Sequence, residues 1–464
     1  MNVRPLLLLL GVLPGCASPR AASIPTSAVL AITHATVIDV ESGRLLPNQT
    51  VLVAGSRILE VLPAVRARIP TGARIIDATG KFLIPGLWDA HVHLSATGQD
   101  ALPLLIAYGV TSVRDLGGQL EEIVAIRKRV QSGELIGPRI LTSGPLLEGT
   151  AWMNAAYQIA PPNHPMWVAA PRVIASRENV QTVVDSLKSL GVDLIKSRNV
   201  WGDDFLALAD AAERAGVPLA SHNPNRVHML AAARRGLDSF EHAESIWGDF
   251  DTLSVADRER MFQLVGETGA LVVPTLVADV GLIVSSDSVL LAAIADTLGR
   301  LDARNRSLPR QMRTLWAEAV AQRRQYGAHP AGTFGKITRD VQAMHRAGIL
   351  MMAGTDIGGI PLVYPGSSVP DELELLVREG GLTALAALQS ATRNPPRFFN
   401  MQNDLGTVES GRRADLILLD ANPLADISNT RKIAGVILDG RYLDRQMLDG
   451  LLAGAERSAR PQLP

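Results

Sequence analysis

Cysteine occurs once in these 464 residues, at Cys16. A single thiol forms no intrachain disulfide and builds no thiolate metal cluster. The fold must therefore be held by its apolar core, which a chain of this length can supply. Aromatic residues make up only 4%, which leaves that core to Leu, Val, Ile and Ala. An excess of either charge is also missing, since 45 Lys and Arg stand against 46 Asp and Glu, for a formal net charge of −1. The two signs are interspersed and no basic stripe is present, so nucleic acid is not an expected partner. Beyond the first residues no apolar run approaches the roughly 18 residues of a membrane-spanning helix. What remains, 47% hydrophobic and 20% charged residues, is the balance of a globular protein rather than a disordered one.

The first residues read differently. Arg4 precedes an apolar run from Leu6 to Leu13, followed by Pro14-Gly15-Cys16, and such a run is a secretory signal too short to span a bilayer. The stretch Leu13-Pro14-Gly15-Cys16 resembles a bacterial lipobox, in which the cysteine is lipidated and becomes the new N-terminus. Pro14 departs from the usual small or aliphatic residue there. The alternative is an ordinary cleaved signal in which Cys16 is incidental. Either way residues 1–27 are expected to be signal and tether, and the protein to be exported: periplasmic, or membrane-anchored as a lipoprotein through Cys16.

Short β-rich runs come next: Ala35–Asp39, Thr50–Val53, Arg57–Val61 and Arg74–Asp77, separated by Ser42-Gly43, Gly55 and Thr71-Gly72. This is hairpin spacing. From Phe82 the rhythm changes to short apolar strands alternating with amphipathic helices. The expected strands are Leu87–His93, Val110–Asp115, Arg139–Ser143, Val192–Ser197, Pro218–His222, Ser239–His242, Leu271–Pro274 and Ile349–Thr355. Helical runs between them, such as Leu120–Gln131, Glu178–Leu190, Asp203–Ala215 and Val255–Glu267, complete the pattern of an α/β (β/α)8 TIM barrel over residues 83–403. The runs Ala414–Asp420 and Gly435–Gly440 return to β character. They predict a small β-sandwich domain made from both chain ends, 28–82 with 404–446. The long connection from Asp279 to about Thr333 is either a lid over the site or a helical hairpin packed on the rim.

Six residues carry the chemistry. In Asp89-Ala-His91-Val-His93 the two histidines are two apart on a strand, so both face the same side and together can grip a divalent metal. His222 ends the fifth strand, His242 the sixth and Asp356 the eighth, all at the face where barrel enzymes assemble their sites. One histidine alone would be read as a packed core residue; four histidines and a carboxylate at equivalent heights are not. Lys196 ends the apolar run Val192-Asp-Leu-Ile-Lys. Burial disfavours its ammonium form, and a neutral amine can capture carbon dioxide as an anionic carbamate able to bridge two metals. The alternative is a lysine paired with Asp356 and no bridge.

These residues resemble the amidohydrolase superfamily, together with Leu83-Ile-Pro-Gly-Leu-Trp-Asp89, Asn394-Pro-Pro-Arg-Phe-Phe and Leu405–Asp415. The likeness runs from Thr36 to Tyr442 and is nearest to the imidazolonepropionase-related group, which contains binuclear dipeptidases with a bridging lysine. The resemblance implies two divalent ions, with Zn2+ the best fit to His and carboxylate ligands. His91, His93 and Asp356 would hold the more buried ion and His222 and His242 the other, bridged by carboxylated Lys196 and a hydroxide. Asp356 would serve as the catalytic proton carrier.

The implied activity is hydrolysis of C–N bonds in small substrates such as dipeptides or N-acyl amino acids. Cyclic amides, lactones or esters on the same site are the second reading, and a non-catalytic lipoprotein binding module the third. Dipeptidases of the group carry a histidine in a Gly-rich stretch after the third strand, whereas Gly144–Trp152 has none before His164. Arg114, Trp152, Asn199 and Trp201 are the candidate substrate contacts, with Tyr157 and Trp167 as further aromatics of the same loop. Arg114 could hold a substrate carboxylate, or pair with Asp115 or another rim acid. A homo-oligomer is left open.

Overall fold

The computed structural model describes residues 29–159, 169–249, 253–327 and 329–460. Cys16, His164 and Trp167 lie outside them. Alternation of side chains along extended backbone explains the architecture near the chain ends. Leu416–Leu419 is a run of four buried apolar residues, more than a one-sided strand would carry. Leu416 and Leu418 join one core with Ile32, Val51, Ile58 and Leu83. Ile417 and Leu419 join a second with Ile38, Ile84, Leu87 and Val113. A strand buried on both faces needs partners on both edges. Leu416–Leu419 pairs antiparallel with Phe82–Pro85 on one side and Ile433–Leu438 on the other. Leu30–Asp39, Arg44–Ala54 and Arg57–Pro63 extend the same sheet, Arg74–Asp77 adds to Leu30–Asp39, and Arg441–Asp444 forms the far edge. The result is one eight-stranded sheet drawn from both ends of the chain.

The middle of the chain builds parallel sheets. Leu87–Val92, Val110–Asp115 and Arg139–Thr142 form a three-stranded one. Ile195–Ser197, Leu219–Ser221, Ser239–Glu241 and Leu271–Val273 pair in sequence in the other. Two short strands absent from the sequence expectation, Leu147–Gly149 and Arg172–Ile174, lie at its edge. The expected eighth strand, Ile349–Thr355, is not a regular strand. It runs between Val272 and Ala90, with Met352 N donating to Val272 O at 2.9 Å and Ala90 N to Ala353 O at 2.8 Å. Its irregularity has a steric cause: a Cβ on Gly354 would lie 2.7 Å from His91 Cβ, so the backbone is pressed against the first strand where only glycine fits.

Helices Leu120–Gln131, Val180–Ser189, Gly202–Ala215 and Val255–Gly266 fall within two residues of expectation, and Gly216 stops the third in the left-handed conformation. The long connection is a packed layer. Asp287–Ala295 and Arg310–Tyr326 are its helices, and Leu308, Met312 and Trp316 bury themselves against Tyr364 of the body. Gln311 donates to Ser95 O at 2.8 Å and Arg304 to Asp371 at 2.6 Å, so both side chains are taken up by contacts with the body. Among the described residues only its first turns reach the site, where Ala278, Asp279 and Leu282 line the cavity. No described helix is by itself long and apolar enough to cross a membrane.

Candidate metal centre

Asp89 and His91 lie two apart on the first parallel strand, fully buried, and each fixes a different neighbour. Asp89 accepts from Thr355 N at 2.9 Å and from Thr355 Oγ1 at 2.6 Å, which holds the irregular eighth segment and so places Asp356. His91 Nδ1 lies 2.8 Å from Glu241 Oε2. That contact commits one ring nitrogen and leaves Nε2 buried with no hydrogen bond, 3.5 Å from Asp356 Oδ1. His93 Nε2 is 2.9 Å from the same oxygen. His242 Nδ1 lies 2.9 Å from Thr275 Oγ1 and 3.8 Å from Asp356 Oδ2. The rings of His91 and His242 are 4.5 Å apart and those of His222 and His242 4.6 Å. Lys196 is 1% exposed and its Nζ makes no hydrogen bond. All six sequence-predicted ligands line one cavity of about 120 Å³.

Burial governs the charges. It lowers His91 to about 4 and takes His222 and His242 well below the ordinary imidazole value, with the nearby Lys196 cation acting the same way. Neutral imidazoles are what a metal requires. Burial opposes protonation of His93 most strongly, but the bond to Asp356, the Asp356 and Asp115 charges and Gly117 O together raise it. Lys196 is lowered to about 7 by burial first, with Arg114 adding to the effect and Glu241 opposing it. Burial would raise the carboxyls of Glu241 and Asp356, yet both are held well below the usual carboxylate range. For Glu241 the Arg114 guanidinium and the His91 bond do this; for Asp356, His91, His242 and His93 do.

Arg114 is a correction to the sequence reading. It is 1% exposed and lies beneath the ligands, donating to Glu241 Oε1 at 2.7 Å and Ala90 O at 2.6 Å. Its Nη1 makes no hydrogen bond but is buried, and Arg114 does not line the cavity; its acid partner is Glu241, neither Asp115 nor a rim residue. Trp152, 37% exposed on the helix Thr150–Ile159, stands off the cavity lining, as do Asn199 and Trp201. Asn199 instead ties its N–H to Glu148 at 3.0 Å, and the Arg226 guanidinium lies over Trp201, 5.9 Å from its ring centroid. Residues that sequence reasoning passed over include Glu241, Glu244, Thr275, Asp279 and Arg198. Period-two alternation could have flagged Glu241, which shares a face with Ser239 and accepts its hydroxyl at 2.5 Å. His242, Thr275 and Asp356 each have φ between 54° and 64°. For non-glycine residues this left-handed backbone costs on the order of 1–3 kcal/mol and concentrates at functional sites.

The donor set fits a metal. Ligand atoms of His91, His242 and Asp356 all lie within 4.8 Å of one another, and the unpartnered Nε2 of His91 is otherwise an uncompensated buried polar atom. Parallel strands that end in such a set build a site able to hold a divalent metal. The chain belongs to the amidohydrolase family, whose model matches residues 82–443. Ochratoxinase of Aspergillus niger is 26% identical over 394 residues, 74% of this chain and 71% of that protein. Adenine deaminase 3 of Rhizobium meliloti is 23% identical over 400 residues, 84% of this chain and 54% of that protein. Among solved structures, a Bifidobacterium longum protein assigned as a prolidase superposes with a TM-score of 0.67 at 27% identity, covering 93% of this chain and 100% of that one.

Proposed function

We propose that the protein is a binuclear hydrolase of C–N bonds in small dipeptides or N-acyl amino acids. On this reading two divalent ions would be held by His91, His93, His222, His242, Asp356 and carboxylated Lys196, Zn2+ being the best match to the ligands. The observation that carries it is Lys196 itself, whose buried Nζ has no hydrogen-bond partner in a cavity lined by four histidines and Asp356. The ion pair with Asp356, the alternative for this lysine, is absent among the described residues. As a carbamate the same side chain becomes an anion with oxygens to offer. When bound, two ions lower the pKa of a water from 15.7 toward about 7 and polarise the substrate carbonyl.

The rest is the work of the chain. Glu241 and Thr275 orient His91 and His242. The Asp356 carboxylate, held ionised, takes the proton of the attacking water and returns it to the leaving nitrogen. The relative assigned as a prolidase fits a dipeptide substrate. Lactones, cyclic amides and esters belong in the same screen as the second reading.

Metal analysis of purified protein is expected to give close to two ions per chain, and Lys196→Ala to lose most activity, with partial rescue by short carboxylic acids. Full activity in metal-free protein would sink the reading. By the same reading residues 83–403 are the (β/α)8 barrel, and the eight-stranded sheet over 28–82 and 404–446 folds as a sandwich around its own core. Residues 1–27 direct export with Cys16 lipidated, so Cys16→Ala should move the protein from the membrane fraction to the soluble one.

A further inference from the structure

Asp279 ends the short helix Leu276–Asp279 that follows the seventh parallel strand. It is 2% exposed, lines the cavity that holds the ligand set, and its Oδ2 makes no hydrogen bond. Among the described residues it has no ion pair, and the charges that act on it are the carboxylates Glu244, Glu372 and Asp356. Burial, then these three acids, push its carboxyl well above the ordinary range. The connection does carry arginines, but they are engaged elsewhere. Arg323 and Arg324 lie 3.3 and 3.4 Å from the Asp287 carboxylate, and Arg323 also donates to Leu282 O at 3.2 Å.

The position of Asp279 is fixed by its surroundings. The next turn, Val280–Val284, is π-helical, a form that clusters at functional sites. A Cβ on Gly281 would fall 2.2 Å from Pro361 O, so the turn is seated too closely on its neighbour to slide. Glu244 lines the same cavity. Lys196 and Arg198 also line it, so cationic and anionic groups share a single small chamber. A buried carboxylate without a partner is costly, and among the described residues Asp279 Oδ2 has no hydrogen-bond partner.

We infer that Asp279, with Glu244 beside it, forms a subsite for a cationic group on the acyl half of the substrate, the ammonium of a free N-terminus. This rests on the C–N hydrolase reading and narrows it: dipeptides are favoured over N-acyl amino acids, which carry no cation there.

The test uses the metal-loaded full chain and matched pairs, a dipeptide and its N-acetyl derivative with the same scissile bond. The free amine is expected to have a kcat/KM on the order of 100-fold higher, the scale of a buried charge pair, and Asp279→Asn to abolish that preference. Equal rates for the pair in the wild type, or a preference that survives in Asp279→Asn, would overturn the inference. Calorimetry with leucine and N-acetylleucine separates this from the wider reading. Leucine binding that N-acetylleucine does not share, and that Asp279→Asn loses, supports the subsite even if no C–N bond is cut; in that case the proposed activity alone fails. Asp279→Asn is expected to melt no lower than the wild type, since it replaces a buried acid crowded by other carboxyls with a neutral amide of the same shape. A clear fall would make Asp279 a structural residue and overturn the subsite.

Discussion

Glu241 reaches across 150 positions of sequence to His91 and across 127 to Arg114, and these contacts hold a candidate metal ligand from behind. Its carboxylate fixes which nitrogen of His91 is available and neutralises a guanidinium that is always charged. Glu241→Gln keeps the shape and removes the charge, leaving Arg114 buried and unpaired. The expected loss is about 3–5 kcal/mol of stability, read as a lower melting temperature, with metal affinity weakened roughly 10- to 100-fold in chelator competition. Unchanged melting and metal retention would show that Glu241 orients nothing. This residue marks the limit of what the sequence discloses at this scale. His91, His93, Lys196, His222, His242 and Asp356 were legible because each ends an apolar run, and strand ends converge whatever the loops do. Glu241 sat in the same run as His242, yet no local pattern tells that its partners lie on the first two strands. Arg114 was misread for the same reason: its strand could be seen, but its depth could not.

Helix Ser368–Arg378 presents Glu372, fully buried, to the helix that carries Asp279, and Val277 N donates to its Oε2 at 2.7 Å. The other oxygen makes no hydrogen bond. Burial raises this carboxyl from 4.5 to about 8, with Asp89 and Asp371 adding to the effect and the backbone bonds opposing it. Folded Glu372 thus keeps its proton to about pH 8, whereas the unfolded chain releases it near 4.5. Between these values the native state binds more protons, so this contribution is complete below 4.5 and is lost as pH rises through 8. The slope is at most about 1.4 kcal/mol per pH unit. Glu372→Gln, which keeps the acceptor for Val277, should flatten the decline of melting temperature across that window; an unchanged profile would show that Glu372 does not titrate there. Elements of this kind were visible where periodicity carried them, as in Leu120–Gln131 and Gly202–Ala215. The eighth strand was not, because Gly354 and the left-handed Asp356 break a ladder that hydrophobicity alone would continue. Leu147–Gly149 was missed because three residues are too few to show a period.

The two ends of the chain meet in one sheet, and the β character of Ala414–Asp420 and Gly435–Gly440 already pointed to a unit made from both ends. The sequence could not reveal that alternate residues of Leu416–Leu419 belong to different cores. Ile417 and Leu419 pack in the cluster that holds Val113 and Ile140 of the parallel strands, so the sheet and the metal-bearing unit share interior. They should therefore unfold together, in one calorimetric transition. Gly440 tests this from the far side of the sheet. It turns the chain between Ile433–Leu438 and Arg441–Asp444 with φ +78°, and its N–H donates to Ala414 O at 2.9 Å. A Cβ there would sit 1.7 Å from Gly55 O, in the hairpin turn of the opposite chain end. Gly440→Ala thus combines a disfavoured backbone with a clash that no side chain can relieve by rotating. The turn must lift away from Gly55, at a cost of roughly 1–3 kcal/mol, the usual scale of such strain. If the cores are one cooperative unit, the whole transition shifts down by several degrees and metal release shifts with it. Two separated transitions in the variant, with the metal retained through the first, would mean that the sheet is a domain in its own right and that the shared apolar interface does not couple them.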